Sequence, residues 1–317
     1  MTAKRENAAD KRERWLKLEF STPPELADAL ANYVTELGAQ GVYQEEVEPF
    51  APNDRPAALD TLNAFLPVDV RLGQRLKHLD TYLGSLKALF PDLDAVALKT
   101  ETIDDPDWGE QWKKYFKPIR VSRNIVIKPT WERYTPQGSD IVIDIDPGMA
   151  FGTGQHPSTR MCLEALEEIL LKDRSVKDWR VLDVGTGTGI LGIASAKLGA
   201  ERVVCVDIDR KAAEISRENV RINQVEDRVE IVNRDVTSLN AQFSLIIANL
   251  TAKLLIGLRA HLVSLLADGG YLVLSGIIDQ NRPEIEPRFL APPFVTRRTL
   301  TEKEWVCYVL KKEEHTP

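Results

Sequence analysis

The hydrophobic positions of the first hundred residues predict a small domain that contains both strands and helices. Apolar residues alternate along 15–20, as in a half-buried strand, and the Pro-Pro pair at 23–24 opens a helix with apolar residues at 26, 30, 34 and 37. Further strands are predicted at 42–50, 62–70 and 95–102, with a second helix at 72–90. This β-α-β-β-α-β order is typical of the α+β ferredoxin-like arrangement, which we assign to residues 15–104.

The pattern of residues 119–317 predicts a larger α/β domain. Strand-like runs at 119–129 and 141–145 come first. Elements then alternate, with helices at 161–171, 191–198, 212–223 and 254–266 and strands at 181–184, 203–207, 229–233, 245–248 and 271–275. Such alternation is typical of a doubly wound, mostly parallel Rossmann-like sheet. Strands at 295–299 and 305–310 are predicted to close this sheet as an antiparallel pair.

Two segments lie outside these domains. Residues 1–14 are charged and almost free of large apolar side chains, so we predict a disordered tail. Residues 105–118 carry Trp108, Trp112 and Phe116 at the i, i+4, i+8 spacing of one helix face, which predicts a linker helix. This stripe is more typical of packing against a domain than of a binding site.

Composition narrows the class of protein. The chain of 317 residues is 43% hydrophobic and 28% charged, and no apolar run approaches the roughly 20 residues of a membrane-spanning helix. The charged start lacks the apolar stretch of a signal peptide, so we expect a cytoplasmic protein without membrane contact. Cys162, Cys205 and Cys307 are odd in number and far apart, which favours buried free thiols over disulfides or a metal site.

The net charge of −7 is unevenly distributed along the chain. Residues 15–105 contain 7 Lys and Arg against 16 Asp and Glu, a balance of −9. Such a surface is a poor partner for nucleic acid and is suited to docking a basic protein. A solvated acidic face without any partner explains the composition equally well.

A glycine-rich turn is the strongest local indication of a ligand site. The run VLDVGTGTGIL at 181–191 leads from an apolar strand through Gly185, Gly187 and Gly189 into a helix. Glycine permits both a tight turn and the close approach of a ligand to the backbone. Asp207 ends the next predicted strand, where its carboxylate can accept hydrogen bonds from both ribose hydroxyls of a nucleoside cofactor.

Two cofactors compete for this description. The second and third glycines, with Gly192, also satisfy the G-x-G-x-x-G fingerprint of NAD-binding proteins. S-adenosylmethionine is favoured because Asp183 precedes the glycines, where it would attract the ammonium group of that cofactor and repel a pyrophosphate. The spacing from Gly185 to Asp207 also favours S-adenosylmethionine over NAD, as does the lack of an evident basic residue that would bind a pyrophosphate. A turn-forming or helix-capping role for Asp183 is the structural alternative.

The run DPGMAFGTGQHPST at 146–159 predicts a shaped loop before the first helix of the α/β domain. We interpret this loop, with Phe151 and Gly152, as a lid over the methionine end of the cofactor. Thr159 is predicted at the start of the helix, as a cofactor contact or as a plain N-cap. His156 is more typical of a structural histidine than of a base or a ligand.

An amide follows the strand at 245–248. Asn249 is predicted at the carboxyl end of a parallel strand, the edge at which such sheets bind ligands. Its side-chain oxygen, aided by the backbone carbonyl of Leu250, can accept hydrogens from a substrate amine and thereby aim the nitrogen lone pair. The alternative is an ordinary turn asparagine.

These motifs together closely resemble the PrmA enzymes, which methylate large-subunit ribosomal protein eleven. The resemblance includes the runs at 146–159 and 181–191, the VDID around Asp207 and the IANL around Asn249, and it covers nearly the whole chain. It implies a ferredoxin-like domain that recognises the ribosomal protein, a flexible joint and a class I methyltransferase domain. It places cofactor contacts on Thr159, Gly185, Asp207 and Asn249.

Departures from the family pattern are small, because Thr186 stands where the family often has Cys and Ser158 where it often has Thr. We expect a monomer that methylates amino groups of the ribosomal protein, on lysine side chains and at the N-terminus. A related lysine methyltransferase of the electron-transfer-flavoprotein β-subunit shares much of this catalytic domain and is the alternative enzyme. A non-catalytic cofactor-binding or ribosome-associated protein is the alternative from another class.

Overall fold

The computed structural model describes residues 14–44, 60–89, 96–103, 113, 116–146, 154, 156–173 and 176–313. The chain divides into two compact units, residues 1–116 and 117–317. The predicted disordered tail, apart from residue 14, and most of the predicted linker helix lie outside the described residues. Within the described part of the chain, no helix is both long enough and apolar enough to cross a membrane.

The first unit has the predicted ferredoxin-like order of elements. These are β1 (Trp15–Thr22), α1 (Pro24–Glu36), β2 (Gln40–Gln44), β3 (Asp60–Pro67), α2 (Leu72–Leu89) and β4 (Ala97–Ile103). The strands form one antiparallel sheet in the order β2-β3-β1-β4. Alternation along β1 buries Leu18 and Phe20, which pack with Leu30 and Val34 of α1 in a single core. α1 starts with proline at its first turn, where a missing N–H costs nothing.

The second unit contains a seven-stranded sheet and a smaller sheet of three strands. The first part of the chain forms β5 (Ile119–Arg120), β6 (Ile125–Lys128), β7 (Ile141–Asp144), α3 (Pro157–Lys172), β8 (Arg180–Val184), α4 (Ile190–Lys197), β9 (Arg202–Asp207) and α5 (Arg210–Ile222). The rest forms β10 (Val229–Asn233), β11 (Phe243–Asn249), α6 (Ala252–Leu265), β12 (Leu266–Ile278), α7 (Arg282–Phe289), β13 (Phe294–Glu302) and β14 (Trp305–Lys312). The strand orders are β10-β9-β8-β11-β12-β14-β13 and β5-β6-β7.

The large sheet is doubly wound, as predicted. Strands β8 to β12 pair in parallel, whereas β14 pairs antiparallel with both β12 and β13. Successive residues of β11 point to opposite faces, so Leu245 and Ile247 belong to one apolar cluster and Ile246 and Ala248 to the other. Helices α3 and α4 cover the first face, and α6 and α7 cover the second.

The run predicted at 119–129 forms the two strands β5 and β6, and α3 begins four residues before the predicted 161. Two further elements differ more strongly from the sequence prediction. Helix α7 was not predicted, because Pro283 and Pro287 interrupt its pattern and only Ile285 and Phe289 are buried. β12 extends from 266 to 278, well beyond the predicted 271–275, and includes three glycines that obscure its strand pattern. Cys162, Cys205 and Cys307 are buried free thiols, as predicted.

Candidate functional site

The carboxyl ends of three neighbouring strands meet at one edge of the seven-stranded sheet. β8 lies between β9 and β11, and Val184 pairs with Val206 on one side and with Ala248 on the other. The parallel register therefore brings together residues that are far apart in sequence. The strands end at Gly185 after β8, Asp207 on β9 and Asn249 on β11.

The turn after β8 requires its glycines. Gly185, Gly187 and Gly189 have φ angles of +71°, +55° and +85°, in the left-handed region that other residues adopt only at a cost. A Cβ on Gly185 would also lie 2.5 Å from Cδ2 of Leu250. Helix α4 begins directly after Gly189, so the first turn of this helix lies beside the glycines.

Asp207 lies half-buried at the rim of the glycine turn. Its Oδ2 accepts a hydrogen bond of 3.0 Å from the N–H of Gly187, and its Oδ1 accepts one of 2.9 Å from the N–H of Asp209. Its carbonyl oxygen accepts from Nδ2 of Asn233 at 2.9 Å. The carboxylate is thus held in place, and each oxygen retains a lone pair for a ligand hydroxyl.

Asp183 lies beneath the turn and is only 1% exposed. Its Oδ2 accepts hydrogen bonds from the Thr186 hydroxyl at 2.6 Å and the Gly192 N–H at 3.2 Å, so it connects the glycine turn to the start of helix α4. Burial raises the pKa of this carboxyl to about 6, although both hydrogen bonds act in the opposite direction. Its Oδ1 is buried and has no hydrogen-bond partner among the described residues.

These groups fit a ligand with a nucleoside and an ammonium group. The carboxylate of Asp207 can accept from ribose hydroxyls, and the turn admits a ligand close to its backbone. The free Oδ1 of Asp183 is an acceptor without a donor, which is costly in a buried group and suits an ammonium ligand. No group of three or more metal-ligating side chains occurs in the described part of the chain.

Asn249 is held by a contact that spans 90 residues of sequence. Its Nδ2 donates to Oγ1 of Thr159 at 3.4 Å. Its Oδ1 and the carbonyl oxygen of Leu250 both lie next to Gly276, at 3.0 Å and 2.6 Å from the point where a Cβ on that glycine would be. Two hydrogen-bond acceptors therefore face a common space at the end of β11.

Residues 14–313 match the family model described as Ribosomal protein L11 methyltransferase (PrmA). The chain is 40% identical over 302 residues to the ribosomal protein L11 methyltransferase of Pelobacter propionicus, covering 94% of this chain and 98% of the relative. This chain belongs to the PrmA family. The chain is also 35% identical over 315 residues to the Bacillus licheniformis enzyme of the same name, covering 94% of this chain and 100% of that relative. Family membership makes it a methyltransferase that uses S-adenosylmethionine.

A solved structure agrees with this assignment. The ribosomal protein L11 methylase of Lactobacillus delbrueckii subsp. bulgaricus aligns with a TM-score of 0.56 and 32% sequence identity. The alignment covers 63% of this chain and all of that one. The Rossmann-like fold predicted from the sequence is therefore confirmed, and the NAD interpretation of the glycine turn is not favoured.

Thr159 is not the N-cap of α3, so that alternative for Thr159 was wrong. The cap of this PrmA helix is His156, whose Nδ1 accepts from the Ser158 N–H at 3.2 Å and lies 2.6 Å from Ser158 Oγ. Thr159 lies in the first turn instead, and its buried hydroxyl faces Asn249. Burial, with the positive charges of Arg160 and Lys303, lowers the pKa of His156 to about 3. A histidine of that pKa is a weak base at neutral pH, which supports the structural role.

Phe151 and Gly152 lie outside the described residues, as does most of the loop predicted as a lid. Two buried asparagines, one in α5 and one at its C-cap, were in contrast missed by the sequence analysis. Asn219 donates to the carbonyl oxygen of Thr188 in the glycine turn at 2.8 Å, and Asn223 donates to the carbonyl oxygen of Asp144 at 2.7 Å. Their spacing of four residues places both on one helix face, a pattern that could have indicated a supporting role.

Proposed function

We propose that this protein transfers methyl groups from S-adenosylmethionine to amino groups of ribosomal protein L11, on lysine side chains and at the N-terminal amine. The observation that carries the proposal is the meeting of the glycine turn, Asp207 and Asn249 at one sheet edge in a member of the PrmA family. The Pelobacter propionicus and Bacillus licheniformis relatives are both named ribosomal protein L11 methyltransferase, which does not favour a flavoprotein substrate. We further propose that the enzyme works as a cytoplasmic monomer without direct nucleic-acid contact.

The residues at the strand ends have complementary roles towards the cofactor. Asp207 accepts hydrogen bonds from the ribose hydroxyls, and the left-handed glycines let the ligand approach the backbone. Ile208 follows Asp207, is 79% exposed and offers an apolar surface for the purine ring. The free Oδ1 of Asp183 attracts the ammonium group. Bound here, S-adenosylmethionine supplies an electrophilic methyl group on a positively charged sulfur.

Asn249 and Leu250 position the substrate amine. Because Nδ2 of Asn249 donates to Thr159, its Oδ1 is left to accept an amine hydrogen, and the Leu250 carbonyl oxygen accepts a second. Two accepted hydrogens aim the lone pair of a neutral amine away from both oxygens. Orientation of this kind supplies most of the rate in a direct displacement, so the enzyme needs no nucleophile of its own.

Replacement of Asn249 by Ala tests this role. Turnover at saturating S-adenosylmethionine should fall by roughly 100-fold or more, because the amine loses one of its two acceptors, with a smaller effect on KM for the ribosomal protein. The cofactor Kd is measured beside the rate by calorimetry. Asn240→Ala, at an exposed position, is the matched control and should behave like the unmodified enzyme. Near-normal turnover of Asn249→Ala would refute the positioning role.

The first unit is proposed to recognise the ribosomal protein. Its balance of −9 over residues 15–105 complements a basic partner, and Asp80 and Glu101 are exposed acids within it. Replacing both by Lys should raise KM for the ribosomal protein about threefold to tenfold at low salt and leave the cofactor Kd unchanged. Glu226→Lys, an exposed charge reversal in the second unit, is the control. An equal KM effect in the control would remove the reason for assigning recognition to the first unit.

A further inference from the structure

Gly276 interrupts β12 beside the end of β11. β12 pairs with β11 as far as Ser275, which lies opposite Asn249. Its pairing with β14 shifts register between Leu274 and Ile277, so Gly276 lies in an irregular part of the strand. Its φ angle is +78°, and a glycine is strongly favoured there on backbone grounds alone.

Space imposes a second and independent requirement at Gly276. A Cβ added there would lie 2.6 Å from the carbonyl oxygen of Leu250, 2.9 Å from the carbonyl carbon and 3.0 Å from Oδ1 of Asn249. Hydrogen-bond donors lie about 2.7 to 3.2 Å from an oxygen acceptor. The Cβ would therefore stand where it blocks donors from both acceptors at once. Gly276, Asn249 and Leu250 are all half-buried, so none of the three residues is enclosed in the core.

We propose that Gly276 is a specificity-determining residue, which keeps the amine-accepting side of Asn249 and Leu250 open for a primary amine on a flexible stem. This inference rests on the proposed function of Asn249. A methyl group at Gly276 cannot donate a hydrogen bond, and it displaces the amine nitrogen from the distance at which both oxygens hold it. The amine would then bind without a fixed lone-pair direction, and transfer would slow while the cofactor still binds.

Gly199 provides a matched control for this proposal. Its φ angle of +104° is also left-handed, but a Cβ there would meet nothing within 4 Å. Both Ala variants carry the strain of a left-handed φ angle, and only Ala at position 276 also places a Cβ against the Leu250 backbone and Oδ1 of Asn249. The difference between the variants therefore reports the effect of the added Cβ at position 276 on the two acceptors and on the amine that they hold.

The test measures kcat, KM for ribosomal protein L11, melting temperature and the Kd of S-adenosylmethionine in the full chain. In Gly276→Ala, kcat should fall by about 100-fold, because orientation of the amine is lost, while the cofactor Kd changes by less than about threefold. Gly199→Ala should keep kcat within about twofold of the unmodified enzyme. Gly276→Asn is a second variant, chosen because Asn tolerates a left-handed backbone better than most residues, and it should show the same loss of kcat.

Several outcomes overturn the inference. Equal losses of kcat in Gly276→Ala and Gly199→Ala would assign the effect to backbone strain. A rise in the Kd of S-adenosylmethionine large enough to explain the lower kcat would assign the loss of activity to the cofactor site. Failure of both Gly276 variants to fold, with Gly199→Ala folded, would make the glycine a requirement of the fold alone. Absence of methyl transfer by the unmodified enzyme would instead count against the proposed function.

Discussion

Replacing His156 by Asn tests whether this buried histidine, which caps helix α3, is neutral in the folded protein. Asn retains a side-chain oxygen that can cap α3, as the imidazole Nδ1 does, but it does not titrate. The folded pKa of His156 is lowered to about 3, from 6.5 for the unperturbed group. Below pH 6.5 the unfolded chain therefore binds a proton that the folded protein excludes, and stability falls as the pH falls towards 3.

The size of this effect follows from the two pKa values. One pH unit of unequal proton binding corresponds to about 1.4 kcal/mol. Because the unfolded histidine is largely neutral at pH 7.5 and largely charged at pH 5.5, His156 should cost the folded state about 1.4 kcal/mol over this interval. Asp183 acts in the opposite direction, because its pKa is raised from 3.8 to about 6 and the folded protein takes up its proton first. The two effects partly cancel in the unmodified protein.

Comparison of variants separates the two effects. Urea unfolding is measured at pH 7.5, 6.5 and 5.5 for the unmodified protein, His156→Asn and His156→Ala. The stability of His156→Asn relative to the unmodified protein should rise by about 1.4 kcal/mol from pH 7.5 to 5.5. His156→Ala should show the same pH trend with a constant loss of about 1 kcal/mol from the missing cap. Parallel pH profiles for the unmodified protein and His156→Asn would refute the buried neutral histidine.

Two further predictions concern the glycine turn and its surroundings. A Cβ on Gly192 would lie 2.2 Å from Sγ of Cys205, so Gly192→Ala should destabilise the protein by about 1 to 3 kcal/mol. Adding Cys205→Ala removes the clashing sulfur and should recover most of the lost stability, as measured by thermal unfolding. Additive effects of the two substitutions would contradict the contact. Asp207→Ala should weaken binding of S-adenosylmethionine by about 1.5 to 3 kcal/mol, the usual value for charged hydrogen bonds. Unchanged affinity in calorimetry would remove Asp207 from the cofactor site.

The sequence by itself determined the order of elements, apart from helix α7, and the location of the main turn. Strand and helix periodicities are local properties, because each residue alternates or recurs according to the face it buries. The glycines of the turn are similarly local, since the left-handed φ angles of Gly185, Gly187 and Gly189 exclude most other residues whatever surrounds them. The position of Asp207 and Asn249 at strand ends followed from the same patterns, while their roles towards ligand remain predictions.

Only the tertiary structure decided which polar groups are buried and which residues touch. The 1% exposure of Asp183, which raises its pKa, depends on packing of α4 against β8 and β9. The contact of Asn249 with Thr159 joins α3 to β11 across 90 residues, and Gly276 meets the two acceptors only because β12 pairs beside β11. Burial and proximity are properties of the assembled sheet, and no single segment of the sequence encodes either of them.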